Sequence, residues 1–171
     1  NDVQFVALVE PADPNYAKML RSLDENDRIK IIFGFDDSLA RRIFAGCDIF
    51  LMPSKEEPCG IQQLIAMHYG AIPVVHDTGA LRVSVAQYQR NINFNSYSGT
   101  GQGIGFKFSE FTPQDFASAI DAAVAQFRED RFDWHKLLRH NMRENFSWFH
   151  AVNHYLEEYQ AVLRNDPANI H

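Results

Sequence analysis

What the chain lacks narrows its class first. It has two cysteines, Cys47 and Cys59. Their spacing fits no zinc pattern, and two thiols make no disulfide framework. A reducing, cytoplasm-like compartment is therefore expected. A basic surplus is also missing: 16 Lys and Arg stand against 22 Asp and Glu, for a net charge of -6 and a pI of about 5.6. This argues against a nucleic-acid partner, which needs a basic surface to neutralise phosphates, and leaves room for a local basic pocket. No apolar run approaches the roughly 20 residues of a membrane helix, so no membrane is expected. The start, Asn1 to Gln4, has no signal-peptide pattern and leads almost directly into an apolar stretch, as though cut from something longer. There is no internal repeat.

Present instead are 171 residues with 46% hydrophobic and 13% aromatic content, enough for one domain with a real core. Apolar runs at Phe5–Val9, Ile29–Phe33, Asp48–Met52 and Ala71–Val75 read as short buried strands. Between them lie amphipathic stretches with start signals: Asp13-Pro14 before Tyr16, Met19, Leu20 and Leu23, and Asp36-Asp37-Ser38 before Leu39, Ala40, Ile43 and Phe44. Pro73 inside the fourth strand demands a place where no ladder amide is needed. Four strand–helix alternations with short connections predict an α/β fold, a Rossmann-like parallel sheet with helices on both faces. The stretch 91–105, with glycines at 99, 101, 103 and 105, reads as a long flexible loop; a dinucleotide fingerprint would have to follow a strand and open a helix. Residues 104–108 read as a last strand. Thr112-Pro113 opens a helix with Phe116, Ala119, Ile120, Ala123, Val124 and Phe127 inward. Trp134, Leu137, Leu138 and Met142 mark another, and Ser147 caps a third; residues 131–165 are thus expected to be a C-terminal helical extension of the single domain 1–171.

The candidate site is Pro53 to Leu64, where a strand ends, a turn carries carboxylates, and a helix begins. Ligands of open α/β sheets sit outside the carboxyl ends of the strands, facing helix amides that lack partners. Glu57 is the candidate catalytic residue, because a carboxylate in such a turn accepts hydrogen bonds from sugar hydroxyls. The alternative is that Glu57 merely caps the next helix. Glu56 reads as solvated. Gly60, Ile61 and Gln62 offer main-chain amides to an anion such as a phosphate. Cys59 is read as a small inert thiol rather than a nucleophile, since no histidine stands beside it in sequence. Thr78-Gly79 forms a second amide-rich turn one unit later, and two such turns suit a diphosphate. Phe35 ends a strand and either stacks on a base or packs internally. His76 either contacts phosphate or is structural. His150 and His154 have metal-ligand spacing without a third ligand and read as structural, so no metal is expected. No Asp-x-Asp pair exists, which removes the metal-clamping signal of one large class of sugar-nucleotide transferases.

At these residues the chain resembles the C-terminal nucleotide-sugar domain of bacterial glycogen synthases and plant starch synthases. The resemblance is carried by Pro53-Ser54, Glu57-Pro58-Cys59-Gly60, Gln63-Leu64, Ala66-Met67-His68-Tyr69-Gly70-Ala71-Ile72-Pro73-Val74-Val75 and Thr78-Gly79-Ala80-Leu81. Residues 40–48 and Phe146-Ser147-Trp148 extend it over nearly the whole chain. It implies the C-terminal half of a retaining glycosyltransferase of the GT-B type. The donor would be ADP-glucose, the acceptor an α-1,4-glucan, with no cofactor beyond the nucleotide sugar. Glu57 would hold donor hydroxyls; the main chain at Cys59 to Gln62 and at Thr78-Gly79 would hold sugar and diphosphate; Phe35 would stack on adenine. An N-terminal domain bearing the acceptor site would be required for activity, and the diphosphate-gripping Arg and Lys are expected just before residue 1. In this chain Ile65 stands where related transferases carry a second Glu, Ala80 replaces the second Gly of the Thr-Gly-Gly turn, Asp77 replaces a basic residue, and Glu10-Pro11-Ala12 replaces a Gly-rich turn. These departures motivate two further readings: a degenerate regulatory module that binds nucleotide or glucan, and a transferase using another sugar nucleotide.

Overall fold

The computed structural model describes residues 3–11, 13–24, 26–96 and 101–165, without the side chains of residues 150 and 165. It divides into two compact units, residues 1–47 and 48–171.

The first unit alternates β1 (Phe5–Val9), α1 (Pro14–Leu23), β2 (Ile29–Phe33) and α2 (Asp37–Gly46). β1 and β2 pair in parallel, from Phe5 opposite Ile29 to Val9 opposite Phe33. The capping signals read from the sequence operate: Asp13 accepts from the Asn15 amide at 2.7 Å and Asp36 from the Leu39 amide at 2.9 Å. Asp24 joins α1 to β2, accepting from the Ile31 amide at 2.7 Å and from Lys30 Nζ at 2.9 Å. The Ile31 amide, more than Lys30, holds the Asp24 carboxyl below its ordinary pKa.

The second unit contains β3 (Ile49–Met52), α3 (Gln62–Tyr69), β4 (Ile72–His76), α4 (Gly79–Ser84), β5 (Val85–Gln87), a 3-10 turn (Phe94–Ser96), β6 (Gly103–Phe108), α5 (Pro113–Glu129), α6 (Arg131–Arg143) and α7 (Trp148–Asn165). Its four strands are parallel, in the order β3-β4-β6-β5. Successive residues of β4 serve opposite faces, as strand geometry requires. Ile72 and Val74 join Ile104, Phe106, Ala119, Ala123, Trp134 and Leu137 in one core cluster under α5 and α6, whereas Val75 joins Met52, Met67 and Leu81 in another under α3 and α4. The parallel sheet is thus buried on both faces, as the near-continuous apolar strands imply.

Two readings from sequence change here. β5 was not anticipated: three residues directly after a helix carry no periodicity that separates them from the helix end. Gly103 belongs to β6 and not to a flexible loop, and Gly105 lies within that strand, as the reading of 104–108 expects. A Cβ at Gly105 would lie 2.4 Å from the Pro73 carbonyl oxygen, so the absent side chain lets β6 close on β4. Gly99 lies outside the described residues.

The sheet's lower end is closed by one side chain. Asn141 of α6, fully buried, donates from Nδ2 to the Ile104 carbonyl and accepts at Oδ1 from the Ile104 amide, both at 2.8 Å. Nearby, Tyr88 donates its hydroxyl to Asp133, tying β5 to the start of α6; burial first, and then this carboxylate, raises the Tyr88 pKa above its ordinary value.

Beside Asn141, His140 is buried, with its ring tilted against Phe94 at 5.6 Å and its Nε2 3.8 Å from Glu144 Oε1. Burial lowers the His140 pKa, outweighing the opposing pull of Glu144 and the Gln102 main chain. The unfolded chain, with a histidine near about 6.5, then binds more protons than the native one as pH falls below that value. Native stability contributed by neutral His140 is present above about 6.5 and is lost as pH falls toward and through the lowered native value. Urea midpoints are expected to fall between pH 7.5 and 5.5, and His140→Gln is expected to flatten that fall. An unchanged pH slope in the variant would assign the effect to other groups.

Candidate functional site

The turn between β3 and α3 is built around the Glu57 carboxylate. Pro53 and Pro58 restrict the chain on either side. Within the turn, Gly60 N–H donates to Glu57 Oε1 at 3.0 Å and Ser54 Oγ donates to Glu57 Oε2 at 3.2 Å. An ionised carboxylate accepts about four hydrogen bonds, so each oxygen keeps an acceptor direction for a further donor. Glu57 is half-buried and Glu56 exposed, which separates the two adjacent acids as the sequence led us to expect.

Glu57 does not cap α3. The N-cap position is Ile61, which supplies no side-chain acceptor, so the first-turn amides of α3 are left for another partner and carry the positive end of the helix dipole. Ser54, Glu57, Cys59, Gly60, Ile61 and Gln62 line an open cavity of about 470 Å³. Cys59 and Gln62 are exposed at its rim, and Ile61 with them. Behind the turn Gln63 is fully buried, and its Nε2 donates to the Gly60 carbonyl at 2.6 Å and to Ser84 Oγ at 2.9 Å.

Thr78 and Gly79 join this turn through the main chain. Ala80 N–H donates to the Glu57 carbonyl at 2.8 Å. Gly79 has φ +45°, and a Cβ there would lie 2.1 Å from the same carbonyl oxygen. The sequence suggested an amide-rich turn suited to a diphosphate; in the structure Gly79 admits the backbone of Glu57. Thr78 makes no side-chain cap for α4.

Asp77 does not present a free negative charge. Lys107 Nζ lies 2.6 Å and Arg82 Nε 3.5 Å from its Oδ1, and Arg82 Nη2 donates to its carbonyl at 2.7 Å. The cations come from β6 and α4, so the substitution at 77 is balanced by Lys107, remote in sequence, and by Arg82 on the helix that follows.

His76 ends β4 and is not available to a phosphate. Its Nδ1 lies 2.9 Å from the Ser54 carbonyl and its Nε2 3.3 Å from the Ser109 carbonyl, with the ring stacked on Phe108 at 5.1 Å. Sequence reasoning missed this role and that of Ser54. The available signal was a polar residue closing a wholly buried strand, where its hydrogen-bonding groups must find protein partners.

Phe35 belongs to the first unit, where its ring stands 84% exposed just past β2. On α7, His154 lies 3.8 Å from Glu157, and His150 has no described side chain. The apolar residues Tyr155, Leu156, Tyr159, Val162 and Leu163 of this helix are exposed.

A parallel α/β scaffold with a carboxylate turn and an uncapped helix at the strand ends has the geometry of a ligand-binding crevice. The profile described as "Glycosyl transferases group 1" matches residues 10–145, and the chain belongs to that family. It is 42% identical over 171 residues to "Starch synthase 1, chloroplastic/amyloplastic" of Arabidopsis thaliana, covering 98% of this chain and 25% of that protein. It is 39% identical over 165 residues to "Glycogen synthase" of Moorella thermoacetica, covering 95% and 32%. Among solved structures it is similar to the "Catalytic domain of Starch Synthase IV from Arabidopsis thaliana bound to ADP and acarbose", with a TM-score of 0.77, 30% identity, and coverage of 92% of this chain and 32% of that one. The architecture matches half of a GT-B catalytic domain, and the chain spans a quarter to a third of the length of these relatives.

Proposed function

We propose that these residues are the donor-binding part of a hexosyltransferase of the glycogen or starch synthase type, with ADP-glucose as donor, an α-1,4-glucan as acceptor and no further cofactor. Residues 1–171 act as one nucleotide-sugar-binding domain, with 131–165 as its helical extension. In the reaction the bond from the anomeric carbon to the diphosphate breaks, ADP leaves, and the anomeric carbon bonds to the acceptor's terminal hydroxyl oxygen as its proton is lost. Glu57 accepts hydrogen bonds from donor glucose. The amides opening α3, with the main chain around Cys59 to Gln62, hold sugar and phosphate, and Phe35 stacks on the base. The observation that carries this reading is the Glu57 carboxylate, fixed by Gly60 and Ser54 with acceptor capacity to spare, in a cavity at an uncapped helix start. The pairing of Asp77 with Lys107 removes the charge argument for a degenerate, non-catalytic module.

Titration calorimetry with ADP, UDP and ADP-glucose tests the donor. Loss of hydrogen bonds to a charged group costs about 1.5–3 kcal/mol, so Glu57→Ala is expected to weaken ADP-glucose about 10- to 100-fold and ADP less than about twofold. Equal losses for both ligands, or none, would remove Glu57 from the sugar site. Catalysis needs the acceptor-bearing half closed on the donor. The purified 171-residue chain is accordingly expected not to elongate glucan, and measurable elongation would refute the requirement.

A further inference from the structure

We propose that His76 is a positioning residue for Glu57, acting through Ser54. The inference rests on the donor-sugar reading of Glu57 and adds what holds that carboxylate in place. A main-chain carbonyl only accepts, so a ring nitrogen that bonds one must carry a proton; the Nδ1 contact with the Ser54 carbonyl, at 2.9 Å, is the shorter of the two, Nε2 standing 3.3 Å from the Ser109 carbonyl. Ser54 in turn donates its hydroxyl to Glu57 Oε2, and Glu57 Oε1 accepts from Gly60. The chain of bonds thus runs from the end of β4 to the first residue pair of the β3–α3 turn, and from there to the carboxylate. His76 itself is fixed on every side: its ring stacks on Phe108 at 5.1 Å and meets Phe111 at 5.2 Å, and its other nitrogen faces the Ser109 carbonyl. A buried ring locked by packing transmits the position of the sheet to a solvent-facing turn, which is how a site residue is kept within a fraction of an ångström of its working geometry. Ser54 is half-buried and Pro53, Lys55 and Glu56 are exposed, so little else anchors this side of the turn.

The test separates the two ring nitrogens. His76→Asn places a side-chain donor at the Nδ1 position, toward Ser54, and His76→Gln places one at the Nε2 position, toward Ser109. Both lose the stacked ring, so the difference between them isolates the Ser54 contact. The readout is amide hydrogen exchange at Gly60, whose N–H is bonded to Glu57, with the Gly70 amide at the far end of α3 reporting general destabilisation. Relative to Gly70, exchange at Gly60 is expected to accelerate about tenfold in His76→Gln and His76→Phe, and to stay within about threefold of the parent in His76→Asn. Ser54→Ala keeps the carbonyl and deletes the hydroxyl, and is expected to accelerate Gly60 as His76→Gln does. Equal exchange in His76→Asn and His76→Gln, or acceleration that tracks Gly70, would overturn the proposal. ADP-glucose titration of the same variants is expected to follow the exchange order while ADP affinity stays level. An ADP-glucose affinity indifferent to Glu57→Ala would sink the donor-sugar reading alone, because the exchange comparison needs no ligand.

Discussion

Gly79→Ala is expected to destabilise the protein by about 2–5 kcal/mol and to weaken ADP-glucose about 100-fold. Two costs add. At φ +45° an L-residue is strained by about 1–2 kcal/mol. The new Cβ would also stand 2.1 Å from the Glu57 carbonyl oxygen and 3.0 Å from its carbon, and backbone cannot swing aside as a side-chain end can. Overpacking of this kind typically costs about 1–3 kcal/mol. Relief requires the two turns to separate by about 1 Å, which breaks the bond from Ala80 N–H to the Glu57 carbonyl, 2.8 Å long in the native turn. A Glu57 carboxylate moved that far loses its hydrogen bonds to the donor sugar, worth about 1.5–3 kcal/mol, which is about 100-fold in affinity toward the upper end. Urea denaturation and calorimetry with ADP-glucose check both parts. A variant within about 0.5 kcal/mol of the parent that binds ADP-glucose normally would show that the turns are not coupled through Glu57.

Asn141→Ala is expected to cost about 3–5 kcal/mol, with most of the loss in two orphaned main-chain groups rather than in the side chain's own packing. Both Ile104 groups are buried and both bond to Asn141. A buried donor or acceptor left unpaired costs about 1–3 kcal/mol. No strand can take over, and the reason is legible in the ladder. Asp77 N–H donates to the Phe108 carbonyl, and β4 and β6 pair from Val74 opposite Phe106 onward. Stepping back two residues at a time, the Ile104 carbonyl falls to the amide of residue 73, and Pro73 has none. Asn141 Nδ2 supplies the missing donor. Pro73→Ala in the Asn141→Ala background is therefore expected to recover about 1 kcal/mol, whereas in the parent, where Asn141 already fills the place, it recovers nothing. Additive effects in that double-mutant cycle would rule out the substitution of one donor for the other.

The element order was legible because each signal was local. Asp13-Pro14, Asp36 and Thr112 act as helix starts through bonds to amides two or three residues on. The four apolar runs became parallel strands because no polar alternation reserved a face for water. Pro73 was correctly read as a residue needing no ladder amide, but the side chain that answers for it lies 68 positions later on α6. Of the site, Glu57 and its neighbours through Gln62 were found from residue type and placement, and the structure gathers Glu57, Cys59, Gly60, Ile61 and Gln62 around one cavity. The bonds that tie Ser54 to Glu57 and His76 to Ser54 were missed because a serine and a buried histidine acquire meaning only from what they face. Asp77 looked like an obstacle to a diphosphate for the same reason: its partner Lys107 is 30 residues away and one strand over.

The sequence by itself determined the alternation of strands and helices, the acidic turn and the family, because caps, periodicity and a contiguous Glu57-Pro58-Cys59-Gly60 block are written within a few residues of one another. Only the tertiary structure decided how that turn is held. Gly79 had to meet the Glu57 backbone, His76 had to reach Ser54, and Lys107 had to reach Asp77 before the role of any of them could be stated. Hydrogen bonds and ion pairs act over about 3 Å of space whatever the separation along the chain. The identity of a site residue can therefore be local information, while the forces that fix its position are properties of the folded molecule.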